Sequence, residues 1–215
     1  MRKFPVIAID GPAASGKGTL ARRLAAALGF AHLDSGSLYR LIALTVLLAG
    51  GDPKDPQAAT NAAHALDFSL LENPKLRAPE TSVAASQVAA FPTVREAVLS
   101  FQRNFAAHPP GDKGSVIDGR DIGTIICPDA TVKLFVTASP EVRAQRRFLE
   151  LQAQGLAVSE RDVQADIRAR DARDTSRAVA PLRQAPDAHL LDTTQLDIEA
   201  AFARALEIIR AGLHT

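Results

Sequence analysis

An α/β protein with a five-stranded parallel sheet flanked by helices is the fold this sequence predicts, on three observations. Short β-rich runs alternate with longer helical patterns, as parallel strands joined by crossover helices require. The first run, residues 4–9, is apolar without alternation, as a central strand covered on both faces should be. A glycine-rich turn then carries that strand into a helix. The 215 residues, 47% hydrophobic and 23% charged, suit one main domain with a smaller appendage.

The bulk numbers exclude several function classes. A net charge of +1, from 25 basic and 24 acidic residues, gives no reason to expect a nucleic-acid partner, but leaves small anionic substrates open. The one cysteine, Cys127, excludes a disulfide framework and a cysteine-based zinc site, which fits a reducing compartment. The apolar run near the N-terminus is too short for a signal peptide. Residues 41–51 form the most apolar stretch and fall short of the roughly 20 needed to span a bilayer. The expectation is a cytoplasmic monomer with no membrane partner.

Gly11 and Gly16 bracket Pro12, Ala13, Ala14 and Ser15, and Lys17, Gly18 and Thr19 follow, which satisfies the spacing G-x-x-x-x-G-K. Small residues let backbone N–H groups close on phosphate oxygens, and the lysine adds a point charge on the β and γ phosphates. The helix expected over 18–28, with Leu20, Leu24 and Leu28 on its apolar face, aims its positive end at the same cradle before Gly29 ends it. Because Gly18 follows the lysine, the hydroxyl arrives one place late, at Thr19, and its direct ligation of Mg²⁺ is not the expected arrangement.

A short strand over 31–33 leads to Asp34, Ser35 and Arg40. Asp34 or Ser35 can cap the apolar helix that follows, and the same helix start with Arg40 can face a second phosphate; the two readings are compatible. Gly50 to Pro53 breaks that helix, and Pro56 starts another through residue 65. Residues 67–79, with an Asn-Pro step, read as irregular. Helices over 81–90 and 93–107 flank Phe91-Pro92, with Ser86 and Arg95 on either side of the break. The loop at 108–111 returns the chain to the sheet, where a strand over 115–117 delivers Asp118, Arg120 and Asp121. Residues 131–137 form another strand, read as less buried because of its two threonines and Lys133. A last strand over 188–191 precedes a closing helix, 197–213, with Phe202, Leu206 and Ile209 on one face.

From Pro140 the pattern is helical and rich in arginine. Residues 143–177 hold Arg143, Arg146, Arg147, Arg161, Arg168, Arg170, Arg173 and Arg177, and no lysine. A solvated face of i,i+4 pairs accounts for such a run; so does a phosphate-binding hairpin around Gly155, since the planar guanidinium suits bidentate contact with phosphate. Two phosphate-suited segments and an arginine cover describe a phosphotransferase, whose chemistry needs alignment, Mg²⁺ and cations more than covalent help.

Five motifs carry a closer likeness: I-D-G-P-A-A-S-G-K-G-T, L-D-S-G-S-L-Y-R, A-A-S-Q-V-A-A-F-P-T-V-R, I-D-G-R-D-I-G-T and R-D-A-R-D-T-S-R-A-V-A-P-L. In this order they make the chain resemble the bacterial cytidylate kinases, nucleoside monophosphate kinases of the P-loop fold, over nearly its whole length. The resemblance implies transfer of the ATP γ-phosphoryl group to CMP or dCMP. It implies a core of residues 1–34, 109–153 and 176–215, a helical acceptor-binding insert at 35–108, and an arginine-rich lid at 154–175. Residues Gly11 to Thr19 would hold ATP, with Lys17, Arg120, Arg170 and Asp118 catalytic. Asp34 and Ser35 would border the acceptor, Arg40 and Arg120 would bind its phosphate, and Ser86, Arg95 and Asp121 would face cytosine. Arg170 and Asp174 would lie near the sugar and Arg177 near base or phosphate. Mg²⁺ would be held by the ATP phosphates and water near Thr19 and Asp118. The family's usual insert between the equivalents of Asp67 and Arg77 is longer; with about ten residues here, its small extra sheet should be reduced or absent. A kinase of UMP or shikimate would share the cradle, and a P-loop switch lacks support because no N-K-x-D motif is present.

Overall fold

A computed structural model describes residues 3–213; Met1, Arg2 and the last two residues, the outer ends of the core expected over 1–34 and 176–215, lie outside the described residues. Five strands, β1 (Val6–Asp10), β2 (Ala31–Asp34), β3 (Ser115–Gly119), β4 (Val132–Thr137) and β5 (His189–Asp192), form one sheet in the order β2-β3-β1-β4-β5. Every pairing is parallel. The carboxyl ends of β1 and its neighbours therefore open on the crevice where α/β sheets place ligands.

β1 is covered on both faces. Ile7 and Ile9 face a core of Leu24, Val116, Leu134, Val136 and Ile209, while Val6 and Ala8 face Ile117, Ile122, Ile126 and Ala106. The first core is roofed by α1 (Lys17–Leu28) and α8 (Ile198–Leu213). On α8 the most buried positions are Ala201, Ala205 and Ile209, with Phe202 and Leu206 packing beside them. Small residues at i and i+4, Ala201 and Ala205, bring the helix close, and Ile209 one turn further on fills the core while the larger side chains fit at the flanks.

A separate apolar cluster, built from Leu38, Ile42, Val88, Val94 and Val98, holds the insert together. Its helices are α2 (Ser35–Leu48), α3 (Pro56–His64), α4 (Pro79–Val88) and α5 (Pro92–Ala107). Three of them, α3, α4 and α5, begin at proline, which is pre-set for a first helical position. The stretch read as irregular holds two 3₁₀ turns, Phe68–Glu72 and Pro74–Arg77, capped by Asp67 and Asn73 through Ser69 N and Lys75 N. Among the described residues no strand lies between β2 and β3, so the small extra sheet is absent.

The sheet also departs from expectation. β4 is nearly as buried as β1, because Lys133 is not at the surface: its ammonium donates to the Pro128 carbonyl (2.6 Å) and to Asp187 (2.7 Å). β3 runs on through Asp118 and Gly119, and a π-helical turn, Ile122–Ile126, follows where no helix is predicted. Its start is held by the buried Asp10 carboxylate, which accepts from Ile122 N and Gly123 N at 2.8 Å each. After β4, α6 (Pro140–Ala153) and α7 (Glu160–Ser176) form the arginine-rich hairpin. No helix among the described residues is long and apolar enough to cross a membrane.

Candidate active site

The turn after β1 is shaped by backbone constraints. A Cβ at Gly11 would sit 2.0 Å from the Val136 carbonyl oxygen, so only glycine lets β1 leave the sheet here. Ala14 (φ 57°) and Gly16 (φ 85°) are both left-handed, an unfavourable state for the alanine that marks a functional turn. Gly16 caps α1 without a side-chain hydrogen bond and no acid stands in the first turn, so the helix start can receive an anion. Lys17 is buried and donates to the Pro12 carbonyl (3.1 Å). Burial, and then the Arg120 guanidinium, hold its ammonium down to about 7, against the opposing pull of Asp118 and Asp34. A cavity of about 700 Å³ opens beside the turn, lined by Ala14, Gly16, Thr19, Arg146, Thr193 and Leu196. Thr193 O accepts from Arg146 at 2.7 Å, which fixes that guanidinium on the wall.

A smaller enclosed space of about 50 Å³ lies on the other side. Its walls include Ser35, Ser86, Arg95, Arg120, Asp121, Arg170, Asp174 and Arg177, so four distant segments meet there. The approach is close: a Cβ on Gly119 would lie 2.5 Å from Ser35 Oγ. Arg95, stacked over the Tyr39 ring at 5.4 Å, pairs with Asp121. Arg120 Nε donates to Asp174 (2.8 Å), whose carboxyl stays below the usual range: burial works against this, but Arg120 and Arg170 outweigh it. Arg170 Nε, Arg177 Nε and Arg177 Nη2 are buried with no hydrogen-bond partner. Burial and then Arg120 push Arg170 below the usual arginine range. These groups are placed for an anion that would satisfy them.

Asp34 is the N-cap of α2 and accepts from Ser37 N (3.2 Å). It stands opposite Asp118 in the β2–β3 register, so both carboxylates lie near the carboxyl ends of neighbouring strands, and both act on Lys17. Arg40 lies just outside the enclosed space and donates to Ser82 Oγ (2.7 Å) and the Leu76 carbonyl. Thr19 is exposed on the larger cavity, whereas Gly18 faces Asp118.

Several participants escape a reading by spacing. Arg173 Nε donates to Ser86 Oγ (3.1 Å). Arg143 joins three segments: it binds Asp171 through both Nη atoms (3.0 and 2.6 Å), the Ala13 carbonyl and the Ala138 carbonyl. Beside it Ile167 of α7 packs on Ala13 and Ala144. Asp10 stands inside the first motif, yet its partners lie more than 110 positions away. The signal was the arginine-only composition of the hairpin, which marks the region without naming the member.

Among the described residues no group of three or more His, Cys, Asp or Glu could form a metal cage. Two carboxylates beside a phosphate cradle suit a cation that keeps most of its water and takes phosphate oxygens, as Mg²⁺ does.

A family profile described as Cytidylate kinase matches residues 7–211. A cytidylate kinase of Granulibacter bethesdensis is 58% identical over 205 residues, covering 95% of this chain and 96% of its own. A cytidylate kinase of Paramagnetospirillum magneticum is 59% identical over 204 residues, 95% and 97% of the two chains. Among solved structures, an uncharacterized protein from Eubacterium ventriosum superposes with a TM-score of 0.55 at 14% identity, over 96% of this chain and 99% of that one; this is a likeness of fold.

Proposed function

The chain belongs to the cytidylate kinase family, and we propose parts for its residues in the reaction that membership carries, transfer of the γ-phosphoryl group of ATP to CMP or dCMP. An oxygen of the acceptor's phosphate attacks the γ phosphorus, the bond from that phosphorus to the β-bridging oxygen breaks, and ADP leaves with CDP or dCDP formed. No covalent protein intermediate is needed, so the protein's task is to align two anions and neutralise the group in flight.

Carrying this division of labour is one observation: partly unsatisfied guanidinium groups of Arg170 and Arg177, together with Arg120, crowd an enclosed space beside a lysine whose ammonium is destabilised without an anion. Residues Gly11 to Thr19 take the ATP phosphates, with the adenosine in the larger cavity. Lys17, Arg120 and Arg170 gain most when charge builds on the transferring group. Arg40 and Arg120 hold the acceptor phosphate beside Asp34 and Ser35, and Asp174 with Arg170 reaches the sugar. Arg177 takes base or phosphate. Mg²⁺, held by the phosphates and reached through water by Asp118, would neutralise charge on the β and γ oxygens.

Base selection rests on Ser86, Arg95 and Asp121. Cytosine offers an amino donor at position 4 and an acceptor at N3; uracil reverses both. Asp121 and the Ser86 hydroxyl can accept, and Arg95 can donate. Uracil would leave buried groups unpaired at about 1 to 3 kcal/mol each. A nucleotide needs several times the enclosed 50 Å³, since ligand pockets run to several hundred Å³. The lid at 154–175 and the insert at 35–108 therefore swing away from the core to admit CMP and close again before transfer. A monomer working in the cytoplasm completes the proposal.

Incubation with γ-labelled ATP and CMP tests it: the label should appear in CDP. Label released only as inorganic phosphate, with no acceptor accelerating ATP consumption, would overturn it.

A further inference from the structure

We infer that His32 is a positioning residue for phosphoryl transfer: it holds the Asp118 carboxylate so that its second oxygen faces the P-loop. The inference rests on the part given above to Asp118.

His32 lies on edge strand β2, two residues before Asp34, so both side chains share the face of the sheet that meets Asp118. Its Nε2 lies 2.8 Å from Asp118 Oδ1. The aspartate side chain is 5% exposed and the histidine 20%, so the contact is shielded on one side and open to solvent on the other. With Oδ1 occupied, Oδ2 points to the start of α1: a Cβ on Gly18 would stand 3.6 Å from it. That leaves a gap between Asp118 and the P-loop which any side chain at position 18 would occupy. The carboxylate also acts on Lys17, where it favours the charged ammonium.

Rotation about the aspartate Cβ–Cγ bond is soft and nearly two-fold, so a carboxylate held by nothing would sample many orientations. A donor at 2.8 Å on one oxygen selects one of them before any nucleotide arrives, and pre-orientation of this kind is what catalysis by alignment requires. Nε2 carries a proton in one neutral tautomer and in the imidazolium, so the role does not depend on the charge of the ring. A purely structural tie between β2 and β3 is the alternative, and it predicts lost stability with an unchanged turnover number.

The test uses His32→Ala, His32→Gln, Asp118→Asn and the Ala/Asn double variant. Partners that orient metal-ligating side chains commonly contribute 10- to 100-fold, and the same order is expected for a partner that orients Asp118. His32→Ala should lower kcat roughly tenfold, with KM for ATP and CMP little changed. His32→Gln, whose amide can also donate, should recover most of the loss. Asp118→Asn should cost more, and adding His32→Ala to it should cost nothing further, because the residue acts through Asp118. A second readout needs neither metal nor turnover: in nitrogen–proton correlation spectra of the nucleotide-free protein, the His32 Nε2 signal should shift in Asp118→Asn. Full kcat in His32→Ala beside a crippled Asp118→Asn would overturn the inference, as would an unmoved Nε2 signal or equal costs of His32→Ala in both backgrounds. Full activity in Asp118→Asn would instead remove the part assigned to Asp118, and this inference with it.

Discussion

The proposed donor and acceptor halves of the site are built by opposite means. On the proposed donor side nine consecutive residues, Gly11 to Thr19, form a cradle from backbone geometry, and its lysine donates to the Pro12 carbonyl. On the acceptor side the side chains come from the starts of α2 and α5, from α4, the end of β3 and the end of α7, and they hold each other in pairs, Arg95 with Asp121 and Arg120 with Asp174. The difference teaches what each half can discriminate. Backbone N–H groups recognise a polyphosphate whatever it is attached to, whereas a pocket of paired side chains rejects a ligand that leaves one of them unmatched.

The largest effect should come from breaking the donor half alone. Lys17→Ala should lower kcat by on the order of 10² or more, with a smaller effect on ATP affinity and no change in the preference for CMP over UMP. Steady-state rates with both acceptors check this, and near wild-type turnover would remove the lysine from the mechanism. Breaking the acceptor half should do the reverse. Arg95→Ala or Asp121→Ala should reduce discrimination against UMP by about 10², mainly through poorer use of CMP, while KM for ATP stays put. An equal loss for both pyrimidines would mean that the pair supports the pocket without reading the base.

Arg143 bridges the halves, since it ties Asp171 of the lid helix to the P-loop carbonyl of Ala13. Arg143→Ala should lower kcat/KM by about tenfold and speed hydrogen exchange across 160–176; exchange left unchanged would show that the lid does not depend on this link. The last effect is a proton. Lys17 is held down to about 7 in the free protein by burial and then Arg120, and bound phosphates should restore its usual affinity for a proton. Above pH 7 nucleotide binding must therefore take up a proton, and affinity should fall modestly as pH rises. Calorimetry with a non-hydrolysable ATP analogue at pH 8.5, in buffers of different ionisation enthalpy, measures the uptake. Lys17→Ala should abolish it.

The same contrast explains which parts of the fold and site are legible in the sequence. The cradle is contiguous, so spacing alone located it, and the parallel sheet followed from the alternation of strands and helices. Within the acceptor side, only the likeness to a family joined Ser86 and Arg95 to Asp121 and Asp174, because no periodicity relates residues on different elements. Asp10 and His32 carry no sequence signal for the same reason: each meets a partner more than 80 positions away. Lys133 was misjudged because a lysine in a strand usually marks an open face, and here an internal carbonyl and Asp187 receive it. The π-helical turn had no signal of its own, since its start is secured by the Asp10 carboxylate.

The central claim is that the acceptor pocket takes CMP and dCMP alike and discriminates against UMP. Steady-state rates with CMP, dCMP, UMP, dTMP and AMP at fixed ATP and Mg²⁺ test it most directly. CMP and dCMP should be used with comparable efficiency and UMP should be worse by about 10² in kcat/KM. A clear preference for UMP or AMP would contradict the account.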